Sequence, residues 1–104
     1  MPKESKDQPL YSFPADHIIA LISEQYPERE DLIPVIRVCN NGQWESPAYV
    51  HFVNSSRPNE EGSEWQFDEN IILESEDEGT IVLDILKDGR IGGVEFVSRI
   101  GSHF

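Results

Sequence analysis

From Pro58 to Leu83 the chain carries nine carboxylates (Glu60, Glu61, Glu64, Asp68, Glu69, Glu74, Glu76, Asp77 and Glu78) and neither a lysine nor an arginine. Charge runs of this kind usually form solvated faces, and within this one Trp65 and Phe67 alternate with polar neighbours while Ile71-Ile72-Leu73 forms an apolar run. The rest of the chain is near neutral. Residues 1–57 hold eight acids and five bases, and residues 84–104 hold three of each, so nine of the twelve net negative charges sit in one quarter of the length. Acidity needed only for solubility can be scattered, whereas a one-sign stretch focuses a field that attracts a basic partner and speeds its arrival.

With 104 residues, 38% of them apolar, the chain is sized for one small core rather than two. Nucleic acid is disfavoured as a ligand, because affinity for it comes from replacing condensed counterions with Lys and Arg, and only eight dispersed bases are present. Anionic membrane is disfavoured for the same reason. The longest apolar runs, Ile18–Ile22 and Thr80–Leu83, fall far short of the roughly 20 residues that span a bilayer. No charged-then-apolar leader precedes them, and Cys39 is the only cysteine, so the expectation is a cytoplasmic protein without disulfides.

Residues 1–11 are polar, with Pro2, Lys3, Glu4, Lys6, Asp7 and Pro9, and read as a loose N-terminal arm. Residues 12–104 read as a single α+β domain. Ser12 and Pro14 suit a helix start, and Ala15, Ile18, Ile19, Ile22 and Tyr26 recur at helical spacing until Pro27, predicting one amphipathic helix over 13–26. Val35-Ile36-Arg37-Val38-Cys39 is rich in β-branched residues, and Asn40-Asn41-Gly42 follows it as a hairpin signal, predicting a strand that returns at Gln43-Trp44. Pro47 interrupts the return, so residues 48–53 are either its continuation past a bulge or a separate edge strand. A polar loop then runs to about Gly62. Strands follow around Ile71–Leu73 and over Thr80–Leu86, with Ile81, Leu83 and Ile85 on one face. A Lys87-Asp88-Gly89-Arg90 turn leads to a last strand carrying Ile91, Val94, Phe96 and Val97, irregular at Gly92-Gly93. The sum is one N-terminal helix packed on an antiparallel meander of about five or six strands.

Catalytic chemistry finds little support. His17, His51 and His103 have no metal-ligand spacing, and one cysteine cannot complete a zinc site with them. Cys39 and His51 would form a nucleophile–base pair only if a hairpin brought them together, and no third orienting group is signalled. No cofactor is expected and the chain reads as a non-enzyme. Aromatics in a small sheet are usually core, yet Trp65 and Phe67 lie among the acids, and an aromatic anchor inside a charged rim is a common binding plan.

The segment Glu78–Phe96, with Leu83-Asp84, Asp88-Gly89-Arg90 and Gly93-Val94-Glu95, resembles the closing hairpin of a small bacterial family of domains of unknown function, and that resemblance implies a bacterial or phage source. In size, acidity and helix-plus-sheet pattern the chain is similar to the immunity proteins that bacteria make against their own nuclease toxins. That likeness implies a non-enzymatic inhibitor whose partner is a basic protein, a nuclease toxin. The expected partner-binding residues are Glu60, Glu61, Glu64, Trp65, Asp68, Glu69, Glu74, Glu76, Asp77 and Glu78. A phage inhibitor mimicking nucleic acid would look the same. A different class is a small cytoplasmic protein whose acidity serves solubility or a homodimer joined through strand edges.

Overall fold

The structure, a computed structural model, describes residues 12–40 and 42–102. The arm assigned to residues 1–11 and His103 lie outside the described residues. Helix α1 runs Ala15–Gln25, close to the expected span, with Pro14 rather than Ser12 at the N-cap and Tyr26 at the C-cap. Its Ile18, Ile19, Leu21 and Ile22 are buried, the stripe that the 3.6-residue period places on one side. A single 3₁₀ turn at Pro27–Arg29 follows, then a second short helix, α2, over Leu32–Arg37.

Helix α2 corrects the strand expected at 35–39. Leu32 and Ile36, four residues apart, are both buried, so the helical period wins over the β-branched composition. Pro34 stands in the first turn, where no intrahelical N–H partner is required. With a helix in place of its first strand, the β-hairpin expected at Asn40-Asn41-Gly42 does not form among the described residues; its turn residue Asn41 lies outside them. Glycine at 42 has a packing reason: a Cβ there would lie 2.6 Å from Val50 Cγ2 and 2.7 Å from Phe52 Cε1.

Five strands form one antiparallel sheet: β1 Gln43–Ser46, β2 Tyr49–His51, β3 Phe67–Ser75, β4 Gly79–Leu86 and β5 Ile91–Phe96. Their spatial order is β1-β2-β5-β4-β3, so the simple meander is also corrected. Strand β2 pairs with β5, and the chain then crosses through residues 52–66, a loop longer than expected, to start β3 at the far edge. Pro47 sits in the β1–β2 turn, so the two segments are separate strands and β1 takes the edge. The last two hairpins stand where the sequence placed them, with Gly79 and Gly89 at φ 76° and 91° in their turns.

Both helices cover the same sheet face. Ile18, Ile22, Leu32 and Ile36 meet Val50, Ile71, Leu73, Ile81, Leu83, Ile85, Ile91, Val94 and Phe96 in one core. Each such side chain contributes about 1.5–3 kcal/mol by leaving water, which is how a chain this short holds a unique fold. Arg99 ties the periphery to that core. Its guanidinium lies 4.2 Å from the Phe96 ring, donates to Glu78 in the β3–β4 turn and donates to the Pro47 carbonyl in the β1–β2 turn.

Candidate functional site

The nine acids of the charged run do not converge. They are strung along the outer edge of the sheet: Glu60, Glu61 and Glu64 lie in the loop before β3, Asp68, Glu69 and Glu74 lie on β3, and Glu76, Asp77 and Glu78 lie in the turn after it. A nine-residue strand separates the two ends by roughly 30 Å, nearly four screening lengths of about 8 Å at physiological salt. The turn also breaks the row that Glu74, Glu76 and Glu78 would make on one straight strand.

Compensating bases, missing from the run itself, arrive from outside it. Arg57 lies 3.8 Å from Glu60, Arg90 3.2 Å from Glu64, Arg29 2.9 Å from Glu69 and Arg99 2.9 Å from Glu78. The hydrogen bonds that the Arg29 guanidinium donates to Asp31 and Glu69 hold it firmly protonated. Among the described residues Glu61, Asp68, Glu74, Glu76 and Asp77 have no arginine or lysine partner.

Trp65 is buried, 7% exposed, and packs with Val53, Leu86 and Tyr49 in a second small cluster. This cluster lies where the 52–66 loop folds back over the sheet, and it explains the glycine pair. Gly92 is an extra residue in β5, opposite the Asp84/Ile85 step of β4, and a Cβ there would lie 2.8 Å from the Trp65 ring. The Tyr49 ring lies against Gly93 in the same way. Trp65 is thus occupied by the protein's own packing and presents little surface to a partner. Phe67, at the start of β3, is 37% exposed.

The helix-free face of the sheet carries groups the sequence reading passed over. Strand alternation and register set Asn70, Ile72 and Glu74 of β3 beside Thr80, Val82 and Asp84 of β4, then Gly93 and Glu95 of β5, Tyr49 and His51 of β2, and Gln43 and Glu45 of β1. Asp84 stands near the middle, accepting from Tyr49 Oη at 3.1 Å and from Asn70 Nδ2 at 2.7 Å. Burial pushes its carboxyl up from the ordinary value, while those two hydrogen bonds pull it back down. Tyr49 is pushed far up, first by burial and then by the charges of Asp84, Glu45 and Glu95, so its phenol stays protonated. Glu74 accepts from Thr80 Oγ1. His51 Nδ1 lies 2.8 Å from Glu45 Oε2, an ion pair by distance that lacks the direction of a hydrogen bond. Beside them an open groove of about 610 Å³ is lined by Gln43, Glu45, His51 and residues 52–56. The signal for this face was present in the sequence: with Ile81, Leu83 and Ile85 assigned inward, Thr80, Val82 and Asp84 have to face outward.

The nucleophile–base and metal arrangements weighed from the sequence do not assemble among the described residues. Cys39 packs on the helix-covered side, where its Sγ donates to the Val35 carbonyl and burial pushes the thiol up to about 11, while His51 lies on the opposite face. His17 Nε2 meets Ser75 Oγ at 2.8 Å, but that hydroxyl already accepts the backbone N–H groups of Asp77 and Glu78 and is buried, which makes it a clasp on the β3–β4 turn. No group of three or more His, Cys, Asp or Glu among the described residues is placed to hold a metal ion. No helix of the described residues is long and apolar enough to cross a membrane. Compared with protein-family models, curated proteins and solved structures, the chain has no match in any of the three.

Proposed function

We propose that the protein is a non-enzymatic, acidic binding protein that neutralises a basic protein partner in the cytoplasm, as an immunity protein or inhibitor acting on a nuclease toxin. The observation that carries this reading is the set of carboxylates that have no arginine or lysine partner among the described residues: Glu61, Asp68, Glu74, Glu76 and Asp77 in the charged run, with Glu45, Asp84 and Glu95 on the sheet. Folding has matched four acids of the run with arginines and left the others to solvent. Such charge raises self-repulsion in the free protein and is relieved by a cationic surface. A nuclease has to offer a basic cleft to its substrate, which makes it a fitting target.

The alternative of a homodimer through strand edges finds one edge already covered. Gln25, at the end of α1, donates to the Glu74 carbonyl and accepts its N–H, and Tyr26 donates to the Ile72 carbonyl, so the edge backbone of β3 is paired by side chains at Ile72 and Glu74. The test of the main reading is co-expression with the reading frame beside this gene. If that frame encodes a nuclease domain, cells making both proteins are expected to grow and cells making the nuclease alone to die. Death in both cases would remove the immunity reading.

A further inference from the structure

We propose that the helix-free face of the sheet, with Ile72, Val82, Tyr49 and Asp84 at its centre and Glu45, Glu74 and Glu95 around them, is the surface on which a lysine- or arginine-bearing segment of the partner protein docks. The inference rests on the reading of a basic partner and moves its footprint from the charged run to the sheet. The helices bury one face only; on the other, the Trp65, Val53 and Leu86 cluster packs against Tyr49 at one end and leaves apolar side chains in solvent beyond it, Ile72 being 49% exposed and Val82 partly so. Four carboxylates surround them, and among the described residues no lysine or arginine pairs with any of the four. In the charged run, by contrast, Glu60, Glu64, Glu69 and Glu78 are each already held by an arginine.

Geometry separates the two places further. The run spreads its charge along one strand length, whereas the face gathers Glu74, Asp84, Glu95 and Glu45 across β3, β4, β5 and β1 of a sheet whose neighbouring strands are about 4.8 Å apart. Asp84, Glu45 and Glu95 all act on the Tyr49 hydroxyl, so an incoming cation near it meets the combined field of three acids. The groove beside Glu45 and His51 extends the face at its β1 end and has room for a long cationic side chain. The Tyr49–Asp84–Asn70 hydrogen bonds fix the central carboxylate before any partner arrives, which reduces the ordering cost of binding. A second copy of this chain is a poor occupant, because two such faces would oppose carboxylate to carboxylate.

The test is a titration of the isotopically labelled full chain with a synthetic peptide alternating arginine and valine, at 150 mM salt, followed by amide chemical shifts. An alternating glutamate–valine peptide is the control. Shifts are expected at Tyr49, Ile72, Val82 and Glu95 with the basic peptide alone. The double variant Glu74→Gln/Glu95→Gln is expected to weaken binding at least tenfold, and Glu61→Gln/Asp77→Gln less than twofold. All four substitutions are isosteric, and thermal melting verifies the fold of each variant. Ile72→Ser, which keeps every charge, is expected to weaken binding as well. Shifts confined to residues 60–64 and 76–78, with affinity insensitive to the face variants, would overturn the docking surface and leave the basic-partner reading standing. Absence of binding to the basic peptide would overturn both, and growth of particle size in the protein alone with shifts on this face would assign the surface to a second copy.

Discussion

Held between Val53, Leu86 and the backbone of Gly92, Trp65 contributes to the fold, and Trp65→Ala is expected to cost about 3–5 kcal/mol of stability in chemical denaturation. A variant that kept its stability and lost only a partner's affinity would contradict that placement. The sequence showed an indole among acids but could not show which way the 52–66 loop turns, and that turn decides between anchor and core. Asp84 raises the opposite question, because its environment works against its charge. Its pKa is raised from 3.8 mainly by burial, so ionisation is harder in the folded chain than in the unfolded one. The stability this supplies is fully present below pH 3.8 and is lost as the pH rises through the raised folded value. Asp84→Asn keeps the hydrogen bond from Asn70 on its amide oxygen, turns its amide N–H toward the Tyr49 hydroxyl as acceptor, and has no charge to form, so its stability is expected to decline less just above pH 4 than that of the wild type. Parallel pH profiles for the two proteins would show that Asp84 ionises without cost.

Among the elements, those with a strict period were legible. Helix α1, strand β4 and the two hairpins closed by Gly79 and Gly89 follow from 3.6-residue and two-residue alternation and from positive φ in the turns. Helix α2 was not, because six residues hold too few turns for a period to outweigh β-branched composition, and only packing of Leu32 and Ile36 against α1 and the sheet decides it. The insertion of β5 beside β2 was hidden for a related reason: it depends on long-range pairing across residues 52–90, with β3 and β4 between the partners, and carries no local signal. The cover on β3 is a further product of tertiary structure. Gln25→Ala removes both hydrogen bonds to Glu74 and is expected to lower stability by about 1 kcal/mol while speeding amide exchange at Glu74. Unchanged exchange there would mean that the side-chain cover does not protect the edge.

For the whole molecule, the sequence made its net charge legible and its distribution only in part. Proximity in the chain suggested one acidic patch, but the fold extends that patch along an edge, neutralises four of its acids with arginines from elsewhere and assembles a second acidic surface from four strands. The site residues Glu45, Tyr49, Asp84 and Glu95 are scattered over 51 positions of sequence and become neighbours only through strand register. The central claim is that this arrangement attracts and holds a basic protein. It is tested most directly by the stopped-flow association rate between the full chain and the proposed nuclease partner, measured from low salt to several hundred millimolar. Exposed charges are screened over about 8–10 Å at physiological ionic strength, so the rate is expected to fall by at least an order of magnitude across that range. A rate that stays the same at every salt concentration would contradict the claim.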